Sequence, residues 1–152
     1  MTALPLSRRQ AVSGLVLGGI AIALRPLDAA ATPDVLRRRL GELLKGGEAK
    51  SGRVKIAAPE VAENGNTVPV TVSVESPMTE TDHVTAIHVL AERNPQPGVL
   101  SAALSPLSGK AELSFRMRLS ESQTIMVVAQ MSDGSAWSAT RQVIVTIGGC
   151  GS

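Results

Sequence analysis

Apolar and polar positions alternate along most of the chain from residue 53 to residue 147. Val68, Val70, Val72 and Val74 are interleaved with Pro69, Thr71, Ser73 and Glu75, the period of two that marks a strand with one buried face. Pro69 cannot donate to a ladder, which puts the start of this strand at an edge or a bulge. Leu113, Phe115, Met117 and Leu119 alternate in the same way with Ser114, Arg116 and Arg118. Further short strands are predicted over residues 53–59, 83–91, 99–104, 124–131 and 137–147, separated by turn signals at Asn64-Gly65-Asn66, Asn94-Pro95-Gln96-Pro97-Gly98 and Asp133-Gly134. Seven strands with no helix between them predict a mainly β fold, an immunoglobulin-like antiparallel β-sandwich. The cysteine pair that staples many such sandwiches is absent, so packing alone must join the layers.

Ahead of the strands the period lengthens to that of a helix. Thr32-Pro33-Asp34 supplies a cap, a proline for the first turn and an acid beside the helix N-terminus. Leu36, Leu40, Leu43 and Leu44 form one stripe, and Gly46-Gly47 ends the segment. Arg37, Arg38 and Arg39 lie mostly off that stripe and read as a solvated face.

The first residues have the pattern of an export leader. Ser7-Arg8-Arg9-Gln10 precedes 14 apolar-rich residues from Ala11 to Leu24, then Arg25 and an alanine cleavage site at Ala29-Ala30-Ala31. Fourteen residues rise only about 21 Å as a helix, against a bilayer core of roughly 30 Å. The paired arginines point to the twin-arginine route, with Ala11 in place of the usual bulky residue. The expected organisation is therefore a leader over 1–31, a helix plus β-sandwich domain over 32–147, and a flexible arm over 148–152.

Removing the leader changes the charge picture. Arg8, Arg9, Arg25 and Asp28 leave with it, and 12 basic and 12 acidic residues remain. The mature chain thus lacks the cationic surface that nucleic acid demands. With Phe115 and Trp137 as its only aromatics, it also lacks a stacking platform. No membrane association is expected once the leader is cleaved. Trp137 begins the last strand, about 33 Å from its end, and is expected to be a core or hairpin residue. Met126 and Met131 are expected as core fillers.

The candidate chemistry lies in the tail, "IGGCGS". Cys150 is the one cysteine of 152 residues, so no internal disulfide can form. Gly148, Gly149 and Gly151 remove every side chain around it. The segment from Gly148 to Ser152 spans at most about 17 Å, which carries the sulfur about 10 Å clear of the body. A nucleophile working inside this chain needs a fixed base and an oxyanion site, and a glycine tether supplies neither. An unperturbed thiol is only about 3% ionised at neutral pH. His83 and His88 are five apart on one strand and face opposite sides, so no metal site is expected. Three readings stand on this geometry: a carrier arm that presents its thiol to other proteins' active sites, an accidental cysteine on a frayed end, and an intermolecular disulfide. The last corresponds to a periplasmic binding or scaffold module cross-linked through its tail.

The tail, together with "PEVAENGNTVPVTVSVESPMT", "AIHVLAERNPQP" and "MSDGSAWSATRQVIVTIGGCG", resembles the SoxY family, the sulfur carriers of the periplasmic thiosulfate-oxidising system. The resemblance covers about residues 33 to 151. Ser152 stands where the family usually has a final glycine. The resemblance implies a non-enzymatic carrier without a resident cofactor or metal. Thiosulfate-derived sulfur would be attached covalently to Cys150, and Gly148, Gly149 and Gly151 would give reach and clearance. It further implies a SoxZ-like β-sandwich subunit as partner, with a c-type cytochrome, a metal-dependent hydrolase and a sulfane dehydrogenase acting on the arm in the periplasm.

Overall fold

The structure, a computed structural model, describes residues 33–147. The expectations for the leader, for Thr32 and for the arm, residues 148–152, fall outside the described residues. A helix, α1 (Pro33–Leu44), precedes β1 (Val54–Ala57), β2 (Val61–Asn64), β3 (Val68–Val74), β4 (Val84–Ala91), β5 (Gly98–Ala103), β6 (Glu112–Met117), β7 (Gln123–Met131) and β8 (Ala136–Ile147). A short 3-10 turn, Pro106–Ser108, lies between β5 and β6. The strands form a three-stranded sheet, β1-β3-β6, and a five-stranded sheet, β2-β8-β7-β4-β5.

The core lies between the sheets. Val68, Val70, Val72 and Val74 of β3 point inward, as do Ile87, Val89 and Ala91 of β4 and Ile125, Val127, Ala129 and Met131 of β7. The predicted alternation therefore marks the inner faces. Pro69 pairs with Arg116 on β6, while β1 stops short of it at the Ala57–Thr71 pair. On that side β3 is locally an edge, and the missing N–H costs the sheet nothing.

The structure has one strand that the sequence pattern did not reveal. β2 lies in the segment expected to lead into the Asn64-Gly65-Asn66 turn, and it pairs with β8 in parallel, Val61 opposite Ile144 and Ala62 opposite Val145. All other pairings between named strands are antiparallel. β2 has only one buried side chain, Ala62, so it carries almost no periodic signal. The turn itself forms as expected, with Asn64 Oδ1 accepting from the Asn66 amide at 2.8 Å. Between β1 and β2 the chain crosses from one sheet to the other. Arg141, on β8, holds this crossover: its Nη2 donates to the Ala58 carbonyl at 3.5 Å and lies 3.4 Å from Glu60 Oε1.

α1 lies across the outer face of the five-stranded sheet. Its leucines at 36, 40, 43 and 44 are half-buried, whereas Arg37, Arg38 and Arg39 are exposed. Arg37 pairs with Asp34 at 3.1 Å and Arg39 with Glu42 at 3.0 Å, so the arginine run is a solvated face. Lys45 and Gly46 take positive φ, and the Gly47 amide closes the helix end by donating to the Leu44 carbonyl at 2.8 Å. Gln130 Nε2 donates to the Leu43 carbonyl at 2.7 Å, which fixes the helix end to β7. Leu90 and Val128, buried but outside the inter-sheet core, lie on this covered face.

His88 belongs to the same face. Its Nδ1 lies 2.9 Å from Ser101 Oγ. Burial lowers its pKa from the usual 6.5, Gln130 counters this by hydrogen bonding, and the Arg39 charge lowers it further. A depressed histidine pKa means that the unfolded chain takes up the proton first. The stabilisation is complete above the ordinary value and is lost as pH falls through the folded one. The urea midpoint is therefore expected to fall on acidification from about pH 7.5 to about pH 5, and His88→Asn is expected to flatten that dependence. An identical pH dependence in the variant would show that His88 is not the titrating group.

Candidate functional site

The arm leaves from the end of β8, and the path of that strand explains how its root is held. Val143 is fully buried, Val145 is half-buried, and Ile147 is 66% exposed. The strand thus climbs out of the core just before the glycines begin. Its ladder with β7 ends at the Gln123–Val143 pair. Beyond that point a side chain takes over: Ser122 Oγ accepts from the Val145 amide at 2.9 Å. On the other flank the Ile144 amide donates to the Glu60 carbonyl, and the Gly65 amide to the Ile147 carbonyl, both at 2.8 Å. Thr146 Oγ1 donates to the Glu63 carbonyl at 2.9 Å. The backbone is gripped from both sides as far as Val145 and from the β2 flank up to Ile147.

Loops at the same end of the sandwich brace this root. Gly65, which holds Ile147, itself accepts from the Leu119 amide at 2.8 Å. Leu119 is fully buried, and the following loop is organised by Gln123, the only buried polar residue among those described. Gln123 Oε1 accepts from the Arg93 amide at 2.8 Å, while its Nε2 donates to Asn94 Oδ1 at 2.9 Å and to the Glu121 carbonyl at 3.1 Å. Asn94 Nδ2 reaches the Arg118 carbonyl at 2.8 Å. One glutamine therefore ties the β4–β5 loop to the β6–β7 loop beside the arm. An amide buried with all these partners is stabilising, whereas the same amide unpartnered would cost several times more.

The remaining singled-out residues lie elsewhere. Trp137 pairs across from Ala129 near the start of β8, at the end of the sandwich opposite the arm. It packs against the core, with Arg53 5.0 Å and Lys50 5.8 Å from its ring centroid. His83 precedes β4, and its Nδ1 lies 2.9 Å from the Thr79 carbonyl. The two histidines are thus separately bonded at different places. Among the described residues no group of three His, Cys, Asp or Glu side chains is placed to hold a metal ion. The loop after β3 is a structured connector at the far end, where Met78 is buried at positive φ and its amide donates to Ser76 Oγ at 3.2 Å.

Sequence reasoning missed the apolar surface around the root. Val61 and Ile144 are large, exposed and opposite each other on the outer face of β2 and β8, whereas the exposed Ile147 lies at the strand end with the inward-facing set of Val143 and Val145. The available signal was the unbroken run Val143-Ile144-Val145, in which the middle residue must face outward. The predicted site residues Cys150, Gly148, Gly149 and Gly151 lie outside the described residues.

The family model for the sulfur oxidation protein SoxY matches residues 41–150, a span that ends on the cysteine. The chain belongs to the SoxY family. A solved sulfur carrier protein SoxY, from Chlorobium limicola f thiosulfatophilum, is 33% identical over 76% of this chain and all of its own, with a TM-score of 0.61. Superoxide reductase (neelaredoxin) from Ignicoccus hospitalis has the same fold, with a TM-score of 0.56, 19% identity, and coverage of 78% of this chain and 96% of its own. At that identity the likeness concerns the sandwich alone. No curated protein matches the chain. SoxY proteins are sulfur carriers, so this chain is a carrier of the sulfur-oxidation class and not an enzyme. Its two sheets and short helix form the mainly β, immunoglobulin-like sandwich expected. None of its described helices is long and apolar enough to cross a membrane.

Proposed function

We propose that this SoxY chain holds thiosulfate-derived sulfur covalently on Cys150 and presents it to partner enzymes in turn. In the loading step a c-type cytochrome takes two electrons. The Cys150 thiol and thiosulfate join through a new S–S bond, and the thiol proton is released. In the second step a metal-dependent hydrolase adds water at the outer sulfone. Sulfate and two protons leave, and a persulfide remains on Cys150 for a sulfane dehydrogenase. Gly148, Gly149 and Gly151 give the backbone room in a narrow active site. Covalent attachment suits a small anion, because a tether keeps it at high effective concentration where few contacts could retain it.

The observation that carries this reading is the architecture of the root. Ile147 emerges exposed at one end of a braced sandwich, and the family match continues from there to residue 150. A firm base with a side-chain-free extension suits delivery into another protein better than chemistry within this one. The domain limits follow the same logic, with residues 1–31 as a twin-arginine leader, 32–147 as the carrier body and 148–152 as the arm. The working species is a periplasmic complex with a SoxZ-like sandwich subunit. Intact mass of the mature protein, isolated without reductant from thiosulfate-grown cells, is expected to show additions of about 32 Da per extra sulfur. Reductant should remove them, and Cys150→Ser should not acquire them. Unmodified protein, or adducts on the serine variant, would remove the basis of the proposal.

A further inference from the structure

The two sheets end in four edge strands, β1 and β6 in one and β2 and β5 in the other. An edge offers unpaired N–H and C=O groups to other chains, and charged side chains ordinarily deter such pairing. Three of the edges carry charges: Lys55 on β1, Glu63 on β2, and Glu112 and Arg116 on β6. β5, Gly98-Val99-Leu100-Ser101-Ala102-Ala103, carries neither a charge nor a proline. Its bonding to β4 fixes which groups are free. The Leu104 amide donates to the Thr85 carbonyl, and Ala102 and Leu100 lie opposite Ile87 and Val89 in the same register. These even-numbered residues bond to β4, so the N–H and C=O of Ser101 and Ala103 point away from it, with no strand to receive them. Both residues are exposed. Apolar side chains stand at both ends of this edge. Leu107, in the connection that leaves β5, is 97% exposed, and Val35 is 42% exposed in a groove that it lines with Arg38, Pro95 and Gly98.

We infer that the open edge of β5 is the seat of the SoxZ-like sandwich subunit, which adds an edge strand of its own and continues the five-stranded sheet; this rests on the complex proposed above. Position and charge select that occupant. A subunit that stays bound must leave the arm free to enter other proteins. β7 and β4 separate β5 from β8, which places this edge about 14 Å from the strand that carries the arm. The β2 edge is directly beside that strand, and a subunit there would stand against the arm root. A second copy of this chain is disfavoured by charge. Antiparallel pairing of two β5 strands sets the Gly98 end of one against the Ala103 end of the other. Arg38 of one copy then meets the connection that holds Lys110 of the other, and neither cation has an ion pair among the described residues. The matching strand is therefore uncharged in its middle and flanked by acids, with apolar hollows for Leu107 and Val35. Backbone bonds supply the affinity, and the flanks supply the specificity.

The test uses the full mature chain with and without the SoxZ-like subunit. Amide exchange at Ser101 and Ala103 is expected to slow on complex formation by about tenfold more than at Ala102 and Leu104, which are already bonded to β4. Ala103→Pro removes an outward N–H that β4 does not use, a position where an edge strand tolerates proline. Its Kd for the subunit, from titration calorimetry, is expected to rise about tenfold or more. Val61→Lys, on the β2 edge, should leave Kd within about twofold. If the proline lowers the melting temperature, Leu107→Ser lies outside every strand and is expected to raise Kd about fivefold. An unchanged Kd in the β5 variants overturns the inference, as does an equal weakening by Val61→Lys. A homodimer that Ala103→Pro splits also overturns it, because the occupant is then a second copy. Failure of the unaltered chain to bind the subunit at all is a different result, which overturns the proposed complex itself.

Discussion

Cys150→Ser is expected to reduce thiosulfate-dependent cytochrome reduction to background while leaving the melting curve of the carrier unchanged. The loss is expected to be complete because the substitution removes the one atom that can form the S–S bond. A serine hydroxyl has no comparable redox chemistry, and no second cysteine exists to take the load. The unchanged stability follows from position. The described fold ends its hydrogen bonding at the Ile147 carbonyl, three residues before the sulfur. Stopped-flow cytochrome reduction and differential scanning calorimetry on the same preparation check both halves. Residual turnover above background would move the attachment site elsewhere, and a lowered melting temperature would mean that the tail contributes to the fold.

The largest effect expected on stability comes from Gln123, the buried polar residue that pairs with Val143 at the end of the β7–β8 ladder. Gln123→Leu keeps the approximate volume but removes an acceptor for the Arg93 amide and donors to Asn94 Oδ1 and the Glu121 carbonyl. Buried partners left without a bond cost about 1–3 kcal/mol each, offset in part by the apolar gain of leucine. We expect a destabilisation of about 3 kcal/mol, seen as a lower urea midpoint with an unchanged slope. Because Gln123 joins the two loops beside the arm root, amide exchange should accelerate at Arg93 and in the Ser120–Gln123 loop before it does in β4. A change below about 1 kcal/mol would mean that solvent replaces the glutamine.

How much of this could be seen without coordinates depended on periodicity. The inner face of β3 was legible because four valines alternate with polar residues over the whole strand. The helix was legible because its leucines recur at helical spacing between a proline and two glycines. β2 was not, since Val-Ala-Glu-Asn buries only Ala62 and owes its extended shape to pairing with a strand far away in sequence. Alternation also cannot tell whether an outward face is covered. Leu90 and Val128 are buried beneath the helix side of the sheet, whereas Ile144, with the same outward orientation, is half exposed. Nor does a glutamine in an apolar strand announce three bonding partners drawn from two separate loops. The candidate sulfur site was the reverse case. Its signal was the lack of pattern, a single thiol among glycines after a strand, and the resemblance supplied the chemistry.

The pairing of β2 with β8 also has a consequence for biogenesis. Thr146 and Glu63, which meet there, are separated by 83 positions, so the contact closes most of the domain into one loop. Topologies dominated by such distant contacts fold slowly, because closure entropy is lost before contact energy is gained. β8 also lies between β2 and β7 in the larger sheet, and a nascent chain lacking it leaves β2 without a mate and β7 with one open edge. β8 must therefore be synthesised and clear of the ribosome before the sheet can close, and the tether gains a firm anchorage only in a finished domain.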